Sequence, residues 1–330
     1  MVKRKLSKQQ LRNIQNNKAN QLSEDLSSIL SGLAISHRGK FIEVEAENGQ
    51  PIFCQYRQNL GTIVAGDKVL YMPQLNSAYG IIYQVLARKN ALIRPSKLSH
   101  THKTMAANID QLVIMIAVNP LPIEHYIDRY LVAAWHMQIT PIIVLNKMDL
   151  FDNSDNKLQL KEIMTLYHTL GYICISCSAL CDKNLQALKD MLSHKTSIIV
   201  GQSGVGKSET LNALFGKQIA QTGEISEQNN RGKHTTTTAR LFHLDQNTNI
   251  IDSPGIREFG IWHLTETDIF NGFNEFIELD NKCQFRNCQH LENTKGCALD
   301  QAVKSGKISR QRLINYHRLI QEVKENYNQW

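Results

Sequence analysis

Apolar and polar positions change rhythm three times along the chain. Between residues 31 and 87, short β-rich runs ("GLAISH", "KFIEVEA", "PIFCQYR", "KVLYMP" and "GIIYQVL") alternate with Gly, Asn, Asp and Pro signals. Runs of that length, separated by turn residues, predict five short strands. Five strands in so short a span fit a small barrel, either an OB-fold or an SH3-like barrel.

After "ARKNALIRPS" the rhythm lengthens. "QLVIMIAV" (111–118) and "PIIVLNK" (141–147) are continuous apolar runs, the mark of strands buried on both faces. "HYIDRYLVAAWHM" (125–137) repeats at helical spacing, and helices are also expected around 157–169 and 184–193. Strands are expected at "YICIS" (172–176), "SIIV" (197–200) and in two runs within 239–252, with a helix starting near Lys207. Strands alternating with helices predict a parallel sheet covered on both faces.

From about residue 262 the pattern is helical around a cluster of Cys and His. The last segment sets Leu313, Tyr316, Ile320, Val323 and Tyr327 on one helical face. Arg310, Arg312, Arg318 and Lys324 fall elsewhere on that helix and are expected on a solvated basic side. The domain reading is therefore a tail at 1–30, a barrel at 31–95, an α/β domain at 96–262 and a helical metal-binding domain at 263–330.

Composition adds a little. With 42% hydrophobic and 20% charged residues, the 330-residue chain has the make-up of an ordinary globular protein. It holds no run of 18 apolar residues and its basic start lacks an apolar core, so no membrane span and no secretory signal are expected. The expected location is the cytoplasm. The formal charge of +7 favours anionic partners. Lys3, Arg4, Lys5, Lys8, Arg12 and Lys18 stand in a stretch without Asp or Glu, as in an arm that meets a phosphate backbone.

The chemistry sits in short motifs. "GQSGVGKS" (201–208) has the P-loop form directly after a predicted strand. Gly201, Gly204 and Gly206 let backbone N–H groups face phosphate oxygens, along with Gln202, Ser203 and Val205 of the same loop. Lys207 is placed to reach the β- and γ-phosphates and Ser208 to hold Mg²⁺, with Glu209 next in line. "NKMD" (Asn146, Lys147, Met148, Asp149) reads the base. Asp149 can accept from the ring N–H and exocyclic amine of guanine, a donor pair that adenine lacks. Asn146 is placed to tie this loop to the P-loop, and the stem of Lys147 to cover one base face. In "SCSAL" (176–180), Ser178 and Ala179 are expected to bring a backbone N–H to the guanine oxygen.

In "DSPG" (252–255), Asp252 would hold Mg²⁺ through water and the Gly255 N–H would face the γ-phosphate. "GKHTTTT" (232–238) offers Thr235 or Thr236 as a further Mg²⁺ ligand. Ile256 stands where many GTPases carry the Gln that orients the attacking water. Another group must do that here, and His234 is the candidate. The order is base, base, phosphate, switch, switch, so the nucleotide domain is circularly permuted. Cys283, Cys288, His290 and Cys297 supply three thiolates and an imidazole, a set suited to a closed tetrahedral Zn²⁺ site.

"GDKV" in the barrel, "NKMD", "GQSGVGKS", "GKHTTTT", "DSPG" and the cysteine pattern together resemble the RsgA family of small-ribosomal-subunit biogenesis GTPases. The resemblance spans about residues 31–300. It implies an OB-fold, a permuted GTPase domain and a zinc domain. It also implies binding to the small subunit and its rRNA late in maturation, and GTP hydrolysis stimulated by that subunit; the chain itself is expected to be a monomer. Glu209 and Asn184 depart from the family pattern, where a small residue and a Gly are usual. A GTP-sensing RNA-binding module and a GTPase acting on mature ribosomes remain as alternative readings.

Overall fold

The computed structural model of the chain describes residues 29–74, 77–95, 102–181, 184–216, 239–252, 261, 264–291 and 293–327. Most of the basic tail, the "GKHTTTT" stretch, Gly255 and Ile256 lie outside these residues, as does the side chain of Tyr327. The described residues form two compact units, one ending at Arg88 and the other beginning at Lys89. No helix among them is long and apolar enough to cross a membrane.

The first unit is the expected barrel. Its strands are β1 (Leu30–Arg38), β2 (Phe41–Ala46), β3 (Pro51–Tyr56), β4 (Lys68–Pro73) and β5 (Tyr79–Val85). Their order is β1-β2-β3-β5-β4, with β4 pairing back to β1. Only the β3–β5 pair is parallel among these. A bulge at Ala34–Ser36 lets β1 bend and pair with both neighbours. Alternate residues fill the interior, among them Ala34, Ile42, Val44, Cys54, Val69, Tyr71 and Ile82. This topology selects the OB-fold over the SH3-like alternative.

The motif "GDKV" acquires a structural meaning here. Asp67 is fully buried and accepts from the Val64 N–H at 2.8 Å. Arg88 donates to both Asp67 oxygens, at 2.7 and 2.8 Å, and also to the Thr62 carbonyl at 2.7 Å. One carboxylate thus pins the loop before β4 to the last residue of the unit.

The second unit opens on a hairpin that the sequence reading missed, β6 (Ala91–Pro95) with β7 (His102–Ala107). Its base is held by Asn90, whose side chain both donates to the Ile109 carbonyl and accepts from the Ile109 N–H. The runs are short and end in Pro or polar residues, so they resemble a linker.

The sheet that follows contains β8 (Gln111–Ala117), β9 (Thr140–Asn146), β10 (Ile173–Ser176), β11 (Thr196–Val200), β12 (Arg240–His243) and β13 (Asn249–Asp252). In space the order is β10-β9-β8-β11-β13-β12. All neighbours are parallel except β12, which runs antiparallel to β13. Every residue of β8 is buried, as the unbroken apolar run from Leu112 to Ala117 requires, and the buried Gln111 side chain bonds the Met191 carbonyl and the Ser197 hydroxyl. Helices α1 (Glu124–Met137), α2 (Lys157–Thr169), α3 (Leu185–Leu192) and α4 (Lys207–Phe215) fall where the periodicity put them.

The C-terminal helices are α5 (Glu266–Asn271), α6 (Asn274–Ile277), α7 (Ala298–Lys304) and α8 (Arg310–Tyr327). A capping box starts α5: Thr265 and Asp268 each bond the other's backbone N–H. On α8 the face of Leu313, Tyr316, Ile320 and Val323 is buried as expected.

Arg312 corrects the reading of a wholly solvated basic side, since it is 1% exposed. Its guanidinium bonds Asp128 of α1 and, at 2.6 and 2.9 Å, Glu275 of α6. It also lies 4.2 Å from the Phe273 ring centroid. Tyr167 and Asn315 each donate to Asp128 at 2.6 Å. Burial lowers the Arg312 pKa, but the Asp128 charge and the Glu275 hydrogen bonds and charge outweigh it and hold it well above its usual value. Helical spacing alone could not show this, because the polar partners of Arg312 come from two other helices.

Asp67→Ala removes the acceptor of the buried Val64 N–H and one of the two acceptor groups of the partly exposed Arg88, a loss of about 1–3 kcal/mol. Native-state hydrogen exchange is expected to show faster exchange across β1–β5, with β8 and β11 unchanged. Unaltered protection in the barrel would remove Asp67 from its support.

Candidate nucleotide and metal sites

Because β8, β9, β10, β11 and β13 are parallel, their carboxyl ends share one edge of the sheet. Open α/β sheets bind ligands at that edge. "NKMD" follows β9, "SCSAL" straddles the end of β10, "GQSGVGKS" follows β11 and Asp252 ends β13. The motifs are scattered in sequence, and sheet order gathers them.

The P-loop turns sharply out of β11. Gly201 has φ of 148°, and a Cβ there would sit 2.2 Å from the Met115 carbonyl oxygen. Gly206 has φ of 93°, and its Cβ would meet the Asn146 amide nitrogen at 2.3 Å. Neither position has room for a side chain. Gly206 caps α4, so the helix N-terminus opens into the loop. Ser203 and Gly204 are exposed, and Ser208 lies in the first helical turn with the exposed Glu209. The Lys207 ammonium donates to the carbonyls of Gly201 at 2.8 Å and Gln202 at 2.6 Å, which folds it over the loop. The Gln202 side chain accepts from the Ile123 N–H at the start of α1.

Asn146 is the node of the edge. It is 1% exposed. Its amide nitrogen donates to the Val205 carbonyl at 3.0 Å and to the Thr210 hydroxyl at 3.3 Å. Its amide oxygen accepts from the Ala179 N–H at 3.3 Å. One side chain therefore joins the base loop, the phosphate loop and the loop after β10. Lys147, with φ of 62°, reaches back to the carbonyls of Asn119 at 2.9 Å and Gly204 at 2.6 Å. Met148 N–H bonds the Cys177 carbonyl at 3.1 Å. Asp149 is exposed in the short turn Met148–Leu150 and accepts from the buried Ser178 hydroxyl on one oxygen. That bond orients the carboxylate while leaving it accessible.

Thr210 and Asn184 were not singled out as part of this edge. Thr210 is buried one turn into α4, and its only signal was a hydroxyl in an apolar helix face. Asn184 takes φ of 59° before α3 and donates to the Ser176 carbonyl at 2.9 Å. The left-handed backbone explains why a Gly-like position accepts Asn here. His234, Thr235, Thr236 and Gly255 lie outside the described residues.

The second site is the cysteine cluster. The ligand atoms of Cys283, Cys288, His290 and Cys297 all lie within 4.8 Å of one another. His290 Nδ1 is 3.5 Å from Cys283 Sγ and 3.7 Å from Cys297 Sγ. Tetrahedral zinc with usual bond lengths sets such S···N edges at about 3.6 Å, so the donors fit that ion. Ala298 N–H points at Cys283 Sγ at 3.2 Å, and N–H groups of Asp300 and Leu299 point at Cys297. Such bonds stabilise sulfur anions. Burial raises the Cys297 thiol to about 11 and lowers the His290 pKa, which favours a neutral imidazole. Phe270 of α5 stacks on the His290 ring at 5.2 Å, and His317 of α8 bonds the His290 carbonyl at 2.5 Å. The helices thus orient the ligand.

Residues 85–262 match the RsgA GTPase family. The proteins called small ribosomal subunit biogenesis GTPase RsgA in Haemophilus influenzae (strain PittEE) and Histophilus somni (strain 2336) are each 40% identical to this chain. Each alignment covers all of this chain and 98% of the relative. Among solved structures, YjeQ from Thermotoga maritima superposes with a TM-score of 0.71 at 31% identity, covering 89% of this chain and 98% of its own. YloQ, described as a circularly permuted GTPase, gives 0.68 at 26% identity, covering 90% and 96%.

Gly206→Ala drives a methyl into the Asn146 amide. The Ala179 N–H and the Val205 carbonyl then lose their partner, at about 1–3 kcal/mol for each buried group left unpaired. Faster hydrogen exchange at Ala179 is the expected result. Exchange at the wild-type rate would mean that Asn146 does not hold the edge together.

Proposed function

Because this chain belongs to the RsgA GTPase family, we propose that it binds the small ribosomal subunit during late maturation and leaves when GTP is hydrolysed. The observation that carries the reading is the Asn146 node, which brings a guanine-reading loop and a phosphate loop to one sheet edge. The names of relatives aligned along the whole chain supply the partner.

The residues take the following parts. Asp149, oriented by Ser178, accepts from the two guanine donors, and the Ala179 N–H meets the guanine oxygen. The stem of Lys147 covers one face of the base, with Met148 in the same loop. Backbone N–H groups of Gly201 to Gly206 surround the β-phosphate, and Lys207 swings from its loop carbonyls onto the β- and γ-phosphates. Ser208, Asp252 and Thr235 or Thr236 offer hard oxygen ligands, and these fit Mg²⁺. When bound, that ion neutralises charge on the transferring phosphoryl group. The Gly255 N–H faces the γ-phosphate.

Ile256 cannot orient water, so hydrolysis by the free protein is slow. His234, aligned by the subunit, supplies the missing contact. The cysteine cluster holds structural Zn²⁺, and the basic tail, barrel and zinc domain meet rRNA. The protein acts as a monomer in the cytoplasm.

Two measurements test this. GTP turnover with purified small subunits is expected to exceed the unaided rate by at least about tenfold, and Lys207→Ala to abolish the gain; each tenfold step is ~1.4 kcal/mol of activation barrier. A stimulated rate that survives Lys207→Ala would exclude the assigned site. Elemental analysis is expected to find one zinc per chain, lost in Cys297→Ser together with exchange protection in α7 and α8. A zinc-free native protein would contradict the metal assignment.

A further inference from the structure

The ligand-bearing loop of the cysteine cluster carries an unusual outer surface. Phe285, between Cys283 and Cys288, is 51% exposed, the most exposed aromatic side chain among the described residues. Leu291, next to His290, is also 51% exposed. Lys282, Arg286 and Lys295 flank them, each exposed, and Glu292 is the one acid in the stretch 282–297. All five side chains stem from residues no more than two positions from a cluster ligand. The ligand atoms lie within 4.8 Å of one another. At 3.8 Å per residue, the patch is therefore on the order of 20 Å across.

The loop is also built to hold its shape. Gln284 N–H bonds the Gly296 carbonyl at 2.9 Å, Cys288 N–H bonds the Phe285 carbonyl at 3.2 Å, and Thr294 caps the Leu291 carbonyl at 2.8 Å. A ring presented by a rigid loop loses little conformational entropy when something stacks on it. Lysine is depleted at the centre of protein–protein contacts, so Lys282 and Lys295 beside an aromatic ring, with Arg286 as a third cation, fit a polyanion with flat faces. A-form duplexes keep their base faces stacked inside, whereas unpaired nucleotides offer them to aromatic side chains.

We propose that Phe285 stacks on an unpaired RNA base while Lys282, Arg286 and Lys295 contact the adjoining phosphates. This rests on the proposed binding to the small subunit and deepens it. The partner is single-stranded RNA, not duplex and not ribosomal protein.

The test uses the full chain, an unstructured 12-nucleotide RNA containing 4-thiouridine, the same sequence as a blunt duplex, and purified small subunits. Phe285→Leu keeps an apolar side chain but removes the π-face. It is expected to weaken binding to the single strand by roughly 5- to 150-fold, the range for one lost base stack. Phe285→Trp is expected to restore it. Phe285→Leu leaves the salt slope unchanged, while Arg286→Ala lowers it by about 0.7 for one lost single-strand phosphate contact. The thiouridine crosslinks to the 282–297 peptide, and zinc content matches the wild type in every variant.

Equal affinity of Phe285→Leu and wild type, with crosslinks only elsewhere, would overturn the proposal and leave subunit binding intact. So would a Leu variant that loses small subunits yet keeps the single strand, which would assign the patch to a ribosomal protein. A wild-type chain that binds no small subunit would sink the functional reading as well.

Discussion

One buried amide constrains the whole nucleotide edge. Asn146 must donate to the P-loop and accept from the loop after β10, and it has no room to move because Gly206 lies against it. Its side chain fixes the distance between the "NKMD" loop and the P-loop. Lys147 adds a second tie over the top of the same gap, to Gly204. An isolated hydrogen bond of this kind contributes about 1 kcal/mol. Its value here is geometric: three loops from three strands are held in one register before a ligand arrives. A pocket assembled beforehand avoids the ordering cost at binding.

Circular permutation leaves that constraint untouched because it changes connections, not neighbours. Strand order in the sheet still places β11 between β8 and β13, with β9 beside β8. What changes is where the chain goes after Asp252. Among the described residues, the next elements are α5 and the other helices around the cysteine cluster. The C-terminal helices are not loosely tethered. Arg312 and Asn315 of α8 and Glu275 of α6 close on Asp128 of α1, and Arg129 of the same helix pairs with Glu322 of α8. The N-cap of α1, Ile123, is itself bonded to Gln202 in the P-loop. A continuous set of contacts thus runs from the phosphate loop through α1 to the helices that orient His290.

Much of this was legible in the sequence because the informative signals were local. Apolar runs marked β8 and β9, glycines marked the turn out of β11, and three cysteines with one histidine marked the metal cluster. The tie from Asn146 to the P-loop followed from residue type. What escaped were features whose partners are distant in the chain. Arg312 reads as one more basic residue on a helix until Asp128 and Glu275 surround it. Asp67 reads as a turn residue until Arg88 reaches it. The hairpin β6–β7 escaped because its strands lack a long apolar alternation and owe their pairing to the Asn90 clamp. Asn184 looked like a departure from the family, and its positive φ shows why Asn serves where Gly is usual.

The proposed GTP hydrolysis requires that the rotated parts form a complete guanine-reading pocket. Calorimetric titration of the protein with GTP and with ATP, each with Mg²⁺, tests it most directly when repeated on Asp149→Ala. A site that bonds the guanine donors through Asp149 discriminates by about 10⁴-fold. The account predicts strong preference for GTP in the wild type and its collapse in the variant. Equal affinity of the wild-type protein for the two nucleotides would contradict it.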